Sequence, residues 1–152
     1  LEVLHLRGDN LINLPEYFYT LDNLKYLLIR NQKFKEPDSI LKKLCNMKNL
    51  KGLAFDSNNI SSLPNEIFLL ENLEDLSISY NNLKELSKDI SKLKKLWCLV
   101  LVNNKLTRLP DEIIELKDNL FYLYIYNNNF TDEYIKKLKN MLPNTTIIYQ
   151  KE

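Results

Sequence analysis

The sequence is poor in the residues from which catalytic and metal sites are usually built. Its 152 residues include one histidine, His5, with two cysteines and one tryptophan. A histidine-based metal site or a Ser-His-Asp triad would depend on His5 alone, and no acid–histidine–nucleophile arrangement accompanies it. We therefore predict a protein that is not an enzyme, with no catalytic residues, no metal site and no cofactor. His5 is then expected to be solvated or to contact a partner.

The sequence also lacks an excess of charge of either sign. It has 21 basic and 20 acidic residues and a formal net charge of +1. Nucleic-acid binding usually requires a net basic face, so this balance gives no support for a nucleic-acid partner. No apolar run approaches the roughly 20 residues that a membrane-spanning helix needs. We therefore expect neither nucleic-acid binding nor membrane insertion.

The two cysteines are not expected to pair. The repeat pattern described below places Cys45 on the outer side of the second repeat and Cys98 on the inner strand of the fifth, too far apart for a disulfide. The lack of disulfides leaves the compartment open, so secreted, surface and cytoplasmic locations all remain. The chain begins inside a repeat without Met, which we interpret as a fragment or a processed product.

One pattern runs from the first residue nearly to the last: leucine-x-x-leucine-x-leucine-x-x, followed by Asn, Asp or Gln. It begins at residues 1, 24, 50, 73, 96 and 120, at intervals of 23 to 26 residues. A fixed period of this length is typical of a solenoid, in which each repeat buries its apolar face against its neighbours. We therefore predict a single repeat domain over residues 1–152.

Each repeat is predicted to contain one short strand. Apolar residues at the fourth and sixth positions alternate with residues that face outward. In the third repeat, Leu53 and Phe55 are expected in the core, while Gly52, Ala54 and Asp56 face outward. The return path has helix-like spacing and often a Leu-Pro pair, which predicts a short helical or 3₁₀ turn on the outer side.

Two repeats depart from this plan. The second is 26 residues long, and we predict a true helix there with Asp38 or Ser39 as its N-cap. The last repeat contains a longer amphipathic segment, for which Thr131 is the expected N-cap. A final strand follows it, and we predict that residues 131–149 act together as a C-terminal cap.

A row of polar side chains recurs at the ninth position of the repeats. A carboxamide both donates and accepts hydrogen bonds, so it can satisfy backbone groups of adjacent coils. Each such group would cost ~1–3 kcal/mol if it were buried without a partner. We interpret the row as a structural polar ladder, formed by Asp9, Gln32, Asn58, Asn81, Asn104 and Asn128.

These motifs resemble those of the leucine-rich repeat family, whose consensus is LxxLxLxxNxLxxLPxxIxxL. The Leu-Pro-x-Glu-Ile form at 63–67 and 109–113 is similar to bacterial 23-residue repeats, including those of spirochaetes, and to eukaryotic Ras-group repeats. The resemblance covers about residues 1–149. It implies an α/β fold, a right-handed horseshoe solenoid with a parallel β-sheet on the concave face and short helices or 3₁₀ turns on the convex face. It also implies protein binding as the commonest role.

The outward positions of the concave face are the third, fifth and seventh of each repeat, and their chemistry is graded along the stack. The first strands are basic and mixed, the middle ones small and polar, and the last aromatic. Exposed aromatic clusters are typical of binding hot spots. We predict partner binding by Tyr122, Tyr124, Tyr126, Val100, Val102, Tyr26, Arg30 and Arg7. The alternative is that the tyrosines only shield the sheet, or that a segment outside this chain covers them.

The predicted function is that of a non-enzymatic protein–protein interaction module whose partner binds the concave face. Two alternatives remain: the recognition arm of a larger effector or signalling enzyme, and a surface adhesion or glycan-binding receptor. The first coil has no N-terminal cap, which would expose an apolar flank and a strand edge. We expect that upstream residues cover this flank or that two chains meet there as a homodimer.

Overall fold

The fold is a single parallel sheet of seven strands, seen in a computed structural model that describes residues 1–150. The strands neighbour one another in chain order, so each repeat adds one strand beside the previous one. This arrangement confirms the predicted α/β repeat solenoid with a parallel sheet. The strands are β1 (Val3–Arg7), β2 (Tyr26–Arg30), β3 (Gly52–Ala54), β4 (Asp75–Ser77), β5 (Cys98–Val100), β6 (Tyr122–Tyr124) and β7 (Thr146–Ile148).

The strand register places equivalent repeat positions side by side. Leucines at the fourth position form one continuous buried row, in which each contacts the leucine of the next strand: Leu27, Leu53, Leu76, Leu99 and Leu123. Side chains at the third and fifth positions form parallel rows on the opposite side of the sheet, because successive side chains of a strand point to opposite faces. The register therefore converts a linear period into rows of neighbouring side chains on the concave face.

Each of the six repeats leaves its strand through a residue with positive φ at the eighth position. The six φ angles lie between 54° and 67°. Asparagine and glycine tolerate this left-handed conformation, and they occupy four of these turns. The residues are Gly8, Asn31, Ser57, Tyr80, Asn103 and Asn127. Ser57 and Tyr80 occupy the other two turns, and Tyr80 is the less favourable because a bulky side chain is disfavoured there.

The ninth-position side chains bond the backbones of neighbouring coils. Asn81 accepts from the backbone N–H groups of Asn58 and Ile60, at 3.2 and 3.1 Å. Its amide nitrogen donates to the carbonyls of Phe55 and Ser79, both at 3.0 Å. Each such side chain therefore links the backbones of successive coils by hydrogen bonds, an arrangement that we call the ninth-position bracket.

The same kind of bond recurs along most of the row. The side-chain oxygens of Gln32, Asn58, Asn104 and Asn128 each accept from a backbone N–H of the preceding repeat. Asp9 differs because it is exposed and only accepts from the side chain of Gln32, at 3.4 Å. The first coil thus has a weaker version of the bracket.

The outer side of the solenoid is built mainly from 3₁₀ segments, at Glu16–Thr20, Asn65–Leu69, Lys88–Lys92 and Asp111–Leu116. The second repeat instead has helix α1 (Pro37–Leu44). The predicted N-cap at Asp38 or Ser39 is wrong: α1 begins at Pro37, and Glu36 is the N-cap residue, without a side-chain bond. Proline is favoured at the first helical position because its missing N–H has no intrahelical partner there, and so it sets the start.

The last described repeat carries helix α2 (Asp132–Met141), which precedes β7. The predicted N-cap is confirmed, because the Thr131 side chain accepts from the backbone N–H of Tyr134. The Tyr134 hydroxyl donates to the carbonyl of Leu109 at 3.0 Å and accepts from its N–H at 2.8 Å. One side chain thus fixes α2 against the outer segment of the preceding repeat.

Candidate functional site

An exposed aromatic cluster lies on the last strands of the concave face. Tyr122 and Tyr124 of β6 stack with ring centroids 6.4 Å apart. Trp97, just before β5, meets Tyr122 edge-on at 5.6 Å. Phe121 is also exposed, and Tyr122 retains 39% of its accessible surface. We call Trp97, Phe121, Tyr122 and Tyr124 the aromatic patch; large aromatic surfaces of this kind dominate the energetics of protein interfaces.

Sequence reasoning missed two members of the aromatic patch, Trp97 and Phe121. Both occupy the second position of their repeat, which was not counted among the concave positions. A signal was present, because the second position is charged in the four preceding repeats: Glu2, Lys25, Lys51 and Glu74. The change from charged to aromatic residues in two adjacent repeats marks the same end of the sheet as the predicted tyrosines.

The three predicted tyrosines do not share one environment. Tyr126 follows the end of β6 and lines a separate groove at the carboxyl ends of the strands, with a volume of about 530 Å³. Arg7, Arg30 and Tyr80 also line this groove. The aromatic patch and this polar groove are therefore two neighbouring features of one concave face.

An internal hydrogen-bond network surrounds Asp56, just beyond the carboxyl ends of β3 and β4. One carboxylate oxygen accepts from the Ser77 hydroxyl at 2.7 Å and from the Ser79 backbone N–H at 2.8 Å. The other oxygen lies 3.0 Å from Nε of Arg30. Asp56 is consequently buried, and the expectation that it faces solvent is wrong. Arg30 therefore faces a carboxylate of its own chain, whereas Arg7, the other arginine predicted to contact a partner, is exposed.

Other predicted contact residues also differ in accessibility. Val102 is only 3% exposed, so it offers a partner almost no surface. Its short side chain stands in the seventh-position row between Ser79 and the larger Tyr126, which explains this burial. Val100 is half-buried and lines both the polar groove and the adjoining pocket of the sheet.

Tyr26 lies flat against the sheet because its neighbour has no side chain. A Cβ atom added to Gly52 would come within 2.5 Å of Cδ1 of the Tyr26 ring. Gly52 and Ala54 are both buried, which corrects the expectation that they face solvent. The ring therefore forms one wall of a shallow pocket over β3 and β4 rather than a freely projecting contact.

The two cysteine thiols are favoured in their protonated form. Burial raises the pKa of Cys45 to about 12 and that of Cys98 to about 11, and only a thiolate is an effective nucleophile or metal ligand. Both cysteines are free thiols. Within residues 1–150, no three His, Cys, Asp or Glu side chains are grouped as a metal site would require. No helix in the same range has the length and apolar character to cross a membrane.

The sequence matches the family described as a leucine-rich repeat region over residues 33–143. That match spans most of the chain. The chain belongs to the leucine-rich repeat family. Leucine-rich repeats account for the recurring strand, the ninth-position bracket and the parallel sheet, and proteins with this fold typically take part in protein–protein interactions.

Solved structures of other leucine-rich repeat proteins share the fold. A leucine-rich repeat protein of Leptospira interrogans is 32% identical, with a TM-score of 0.69, over 98% of this chain and 49% of its own length. Internalin C2 of Listeria monocytogenes is 24% identical, with a TM-score of 0.76, over 99% of this chain and 62% of its own. At 24% identity, the similarity to internalin C2 concerns the fold alone.

A third similar structure is the leucine-rich repeat ectodomain of the Arabidopsis thaliana receptor kinase GASSHO1/SCHENGEN3, solved in complex with CASPARIAN STRIP INTEGRITY FACTOR 2. It is 25% identical, with a TM-score of 0.70, over 99% of this chain and 24% of its own length. The chain thus spans less than two thirds of each of these three proteins. No curated protein sequence matches this one significantly.

Proposed function

We propose that this leucine-rich repeat chain is a non-enzymatic module that binds a protein partner on its concave face. The observation that carries the proposal is the aromatic patch, in which four large aromatic side chains of two adjacent repeats lie at one end of the sheet. Exposed aromatic clusters are costly to hydrate and supply much of the binding energy when a partner covers them. Tyr124 is half-buried and its ring stacks on that of the exposed Tyr122, so we place the energetic centre there.

Arg7 and Tyr126 would form the rim of the same interface. Arg7 projects from β1 into the polar groove, which continues across the sheet to Tyr126. Charged groups at a rim affect the association rate and specificity more than the final affinity. We also propose that residues 1–152 act as one domain, with α2 and β7 closing its C-terminal end.

The proposal is tested by affinity capture from extracts, with wild type compared with a Tyr122→Ser/Tyr124→Ser variant of matched melting temperature. Tyr17→Ser is the control, because Tyr17 is 73% exposed on the outer side of the first repeat. We expect one set of proteins to be captured by wild type and by the control but lost with the double variant. An identical set for all three proteins would contradict concave-face binding by the aromatic patch.

Once a partner has been identified, Tyr124→Ala should weaken the binding of that partner by about 2 kcal/mol, or roughly 30-fold. The melting temperature of the variant should change little. Isothermal titration calorimetry measures this directly. Unchanged affinity for Tyr124→Ala would show that the tyrosines serve only as a cover for the sheet.

A further inference from the structure

A shallow pocket of about 230 Å³ lies near the middle of the concave face, over strands β2 to β5. Its floor is low because Gly52 lacks a side chain and Ala54 has a small one. Tyr26 lies on one flank, and Asp75 and Cys98 lie towards the other. The lining is mainly apolar, so a charged group inside it is poorly solvated and needs a partner.

Asp75 is the acidic group in this pocket. The cationic residue of the lining, Arg30, is directed to Asp56 instead, with its Nε 3.0 Å from that carboxylate. No ion pair within residues 1–150 includes Asp75, whereas its neighbour Glu74 pairs with Lys51 at 2.9 Å.

Burial raises the pKa of Asp75 above its ordinary value, and hydrogen bonding by Trp97 only partly opposes this effect. The Trp97 indole contributes a dipole but no charge. The half-buried carboxylate of Asp75 therefore lowers the stability of the folded chain, because it is not paired with a positive charge.

Aromatic rings stand on both sides of this carboxylate. In the third-position row, Tyr26, Gly52, Asp75, Cys98 and Tyr122 are successive neighbours. Adjacent parallel strands are about 4.8 Å apart, so Tyr26 and Tyr122 lie roughly 10 Å to either side of Asp75 at the level of the backbone. A cation placed over Asp75 would gain a charge-assisted hydrogen bond, and the Tyr26 ring, which lies over Gly52 of the adjacent strand, offers an aromatic face on one side.

We propose that the pocket formed by Tyr26, Gly52, Asp75 and Cys98 receives a lysine or arginine side chain of the protein partner. The inference rests on the proposed function, since it names the chemistry that the concave face recognises. The apolar lining suits the methylene stem of such a side chain, and the carboxylate suits its charged end. The contrast with Asp56 supports this assignment: Asp56 is compensated by Arg30 within the chain, whereas Asp75 is left for a cation from outside.

The test is an NMR titration of the whole chain with three blocked tripeptides: acetyl-Ala-Lys-Ala-amide, acetyl-Ala-Arg-Ala-amide and the uncharged acetyl-Ala-norleucine-Ala-amide. We expect the two cationic probes, at millimolar concentration, to shift the amide signals of Gly52, Asp75 and Cys98 saturably. They should bind at least about tenfold more tightly than the norleucine probe, as a charge-assisted bond implies. The difference between the lysine and arginine probes identifies the preferred cation.

Asp75→Asn should abolish the preference for cationic probes, whereas Asp118→Asn should retain it. Asp118 is exposed in the turn that follows the outer 3₁₀ segment, and its substitution changes the net charge equally. A readout that needs no variant is the titration of the Asp75 carboxyl carbon in wild type. Its pKa should fall when a cationic probe is bound, because a nearby positive charge favours the carboxylate.

Three results would overturn the inference: equal binding of the norleucine probe, no saturable shift with any probe, or a cation preference that survives Asp75→Asn. Each is independent of the capture experiment, in which Tyr122 and Tyr124 are changed while Asp75 is intact. If the wild type shows no cation preference but the capture result is positive, the inference about the pocket fails and the proposed function stands. A cation preference with a negative capture result would leave the pocket standing and reject the aromatic patch as the binding centre.

Discussion

The ninth-position row and the third-position row cross the same sheet, yet they differ in almost every respect. Five of the six ninth-position side chains are carboxamides, and most are buried and bonded to backbone groups of the adjacent coil. The third-position row changes at every repeat, from Val3 through Gly52 and Asp75 to Tyr122. From Gln32 onward, each member of the first row bonds backbone groups of a neighbouring coil, whereas Asp9 accepts only from the Gln32 side chain. The second row faces outward, where packing of the next coil imposes no single residue.

The comparison shows that positions where one residue type recurs are those that the fold requires. Positions where the residue type changes from repeat to repeat are available for contact with a partner. The unpaired Asp75 and the left-handed Tyr80 are departures that are expected to lower stability, and Trp97 is a departure that exposes a large aromatic side chain. Residues retained at a cost in stability are commonly found at functional sites. Stability measurements can therefore test whether the two rows differ in the way proposed.

The largest effect is expected from the ninth-position row. Asn81→Leu would leave two backbone N–H groups and two carbonyls without their partner. We expect the free energy of unfolding to fall by about 4 kcal/mol, because buried polar groups without hydrogen bonds are costly. Urea denaturation followed by circular dichroism provides the measurement.

The control for this substitution is Asn82→Ala, one position further along. Asn82 forms an exposed hydrogen bond with the side chain of Asn59, at 2.8 Å. Its removal should cost no more than about 0.5 kcal/mol. Similar losses for Asn81→Leu and Asn82→Ala would show that the ninth position has no special structural role.

A smaller effect of opposite sign is expected at the eighth position. Tyr80 has φ of 55° and its side chain is 58% exposed, so it contributes little packing to offset the unfavourable backbone. Tyr80→Asn should stabilise the chain by about 1 kcal/mol, because asparagine tolerates the left-handed region better. Thermal unfolding of the reciprocal variant Asn103→Tyr should show a loss of similar size. A loss of stability in Tyr80→Asn would mean that Tyr80 is part of the packing rather than of a contact surface.

The smallest effect concerns Asp75 and depends on pH. Its pKa is higher in the folded chain than the ordinary value of 3.8, so the folded state binds the proton more readily than the unfolded state. The stability of the wild type therefore falls as pH rises from that ordinary value through the folded pKa, and the penalty is complete above it. Asp75→Asn should raise the melting temperature slightly at pH 7, and this gain should shrink below about pH 4.

Scanning calorimetry of both proteins across this pH range checks the sign. A wild type that gains stability relative to Asp75→Asn as the pH rises would show that the carboxylate is compensated within the chain. That outcome would also remove the physical basis for a cation from a partner in the pocket.

Much of the fold followed from the period and from the residue types at each position. The strand positions, the 3₁₀ turns and the Thr131 cap were predicted because they depend on local alternation and capping. The start of α1 was misplaced because Pro37, at its first position, was not weighed against the capping residues after it. At the site, the tyrosines of β6 were predicted, while Trp97 and Phe121 were missed because they lie just before the strands.

The sequence by itself determined the repeat, the sheet and the rows of side chains, because all three follow from one period and from alternation along a strand. Only the tertiary structure decided which members of those rows are accessible and which charged members have a partner. Burial of Val102, pairing of Arg30 with Asp56, and the missing partner of Asp75 depend on distances between side chains of different repeats. Residues 21 to 29 positions apart become neighbours through the stacking of coils, and the chemistry of each contact is set by its particular pair of residues.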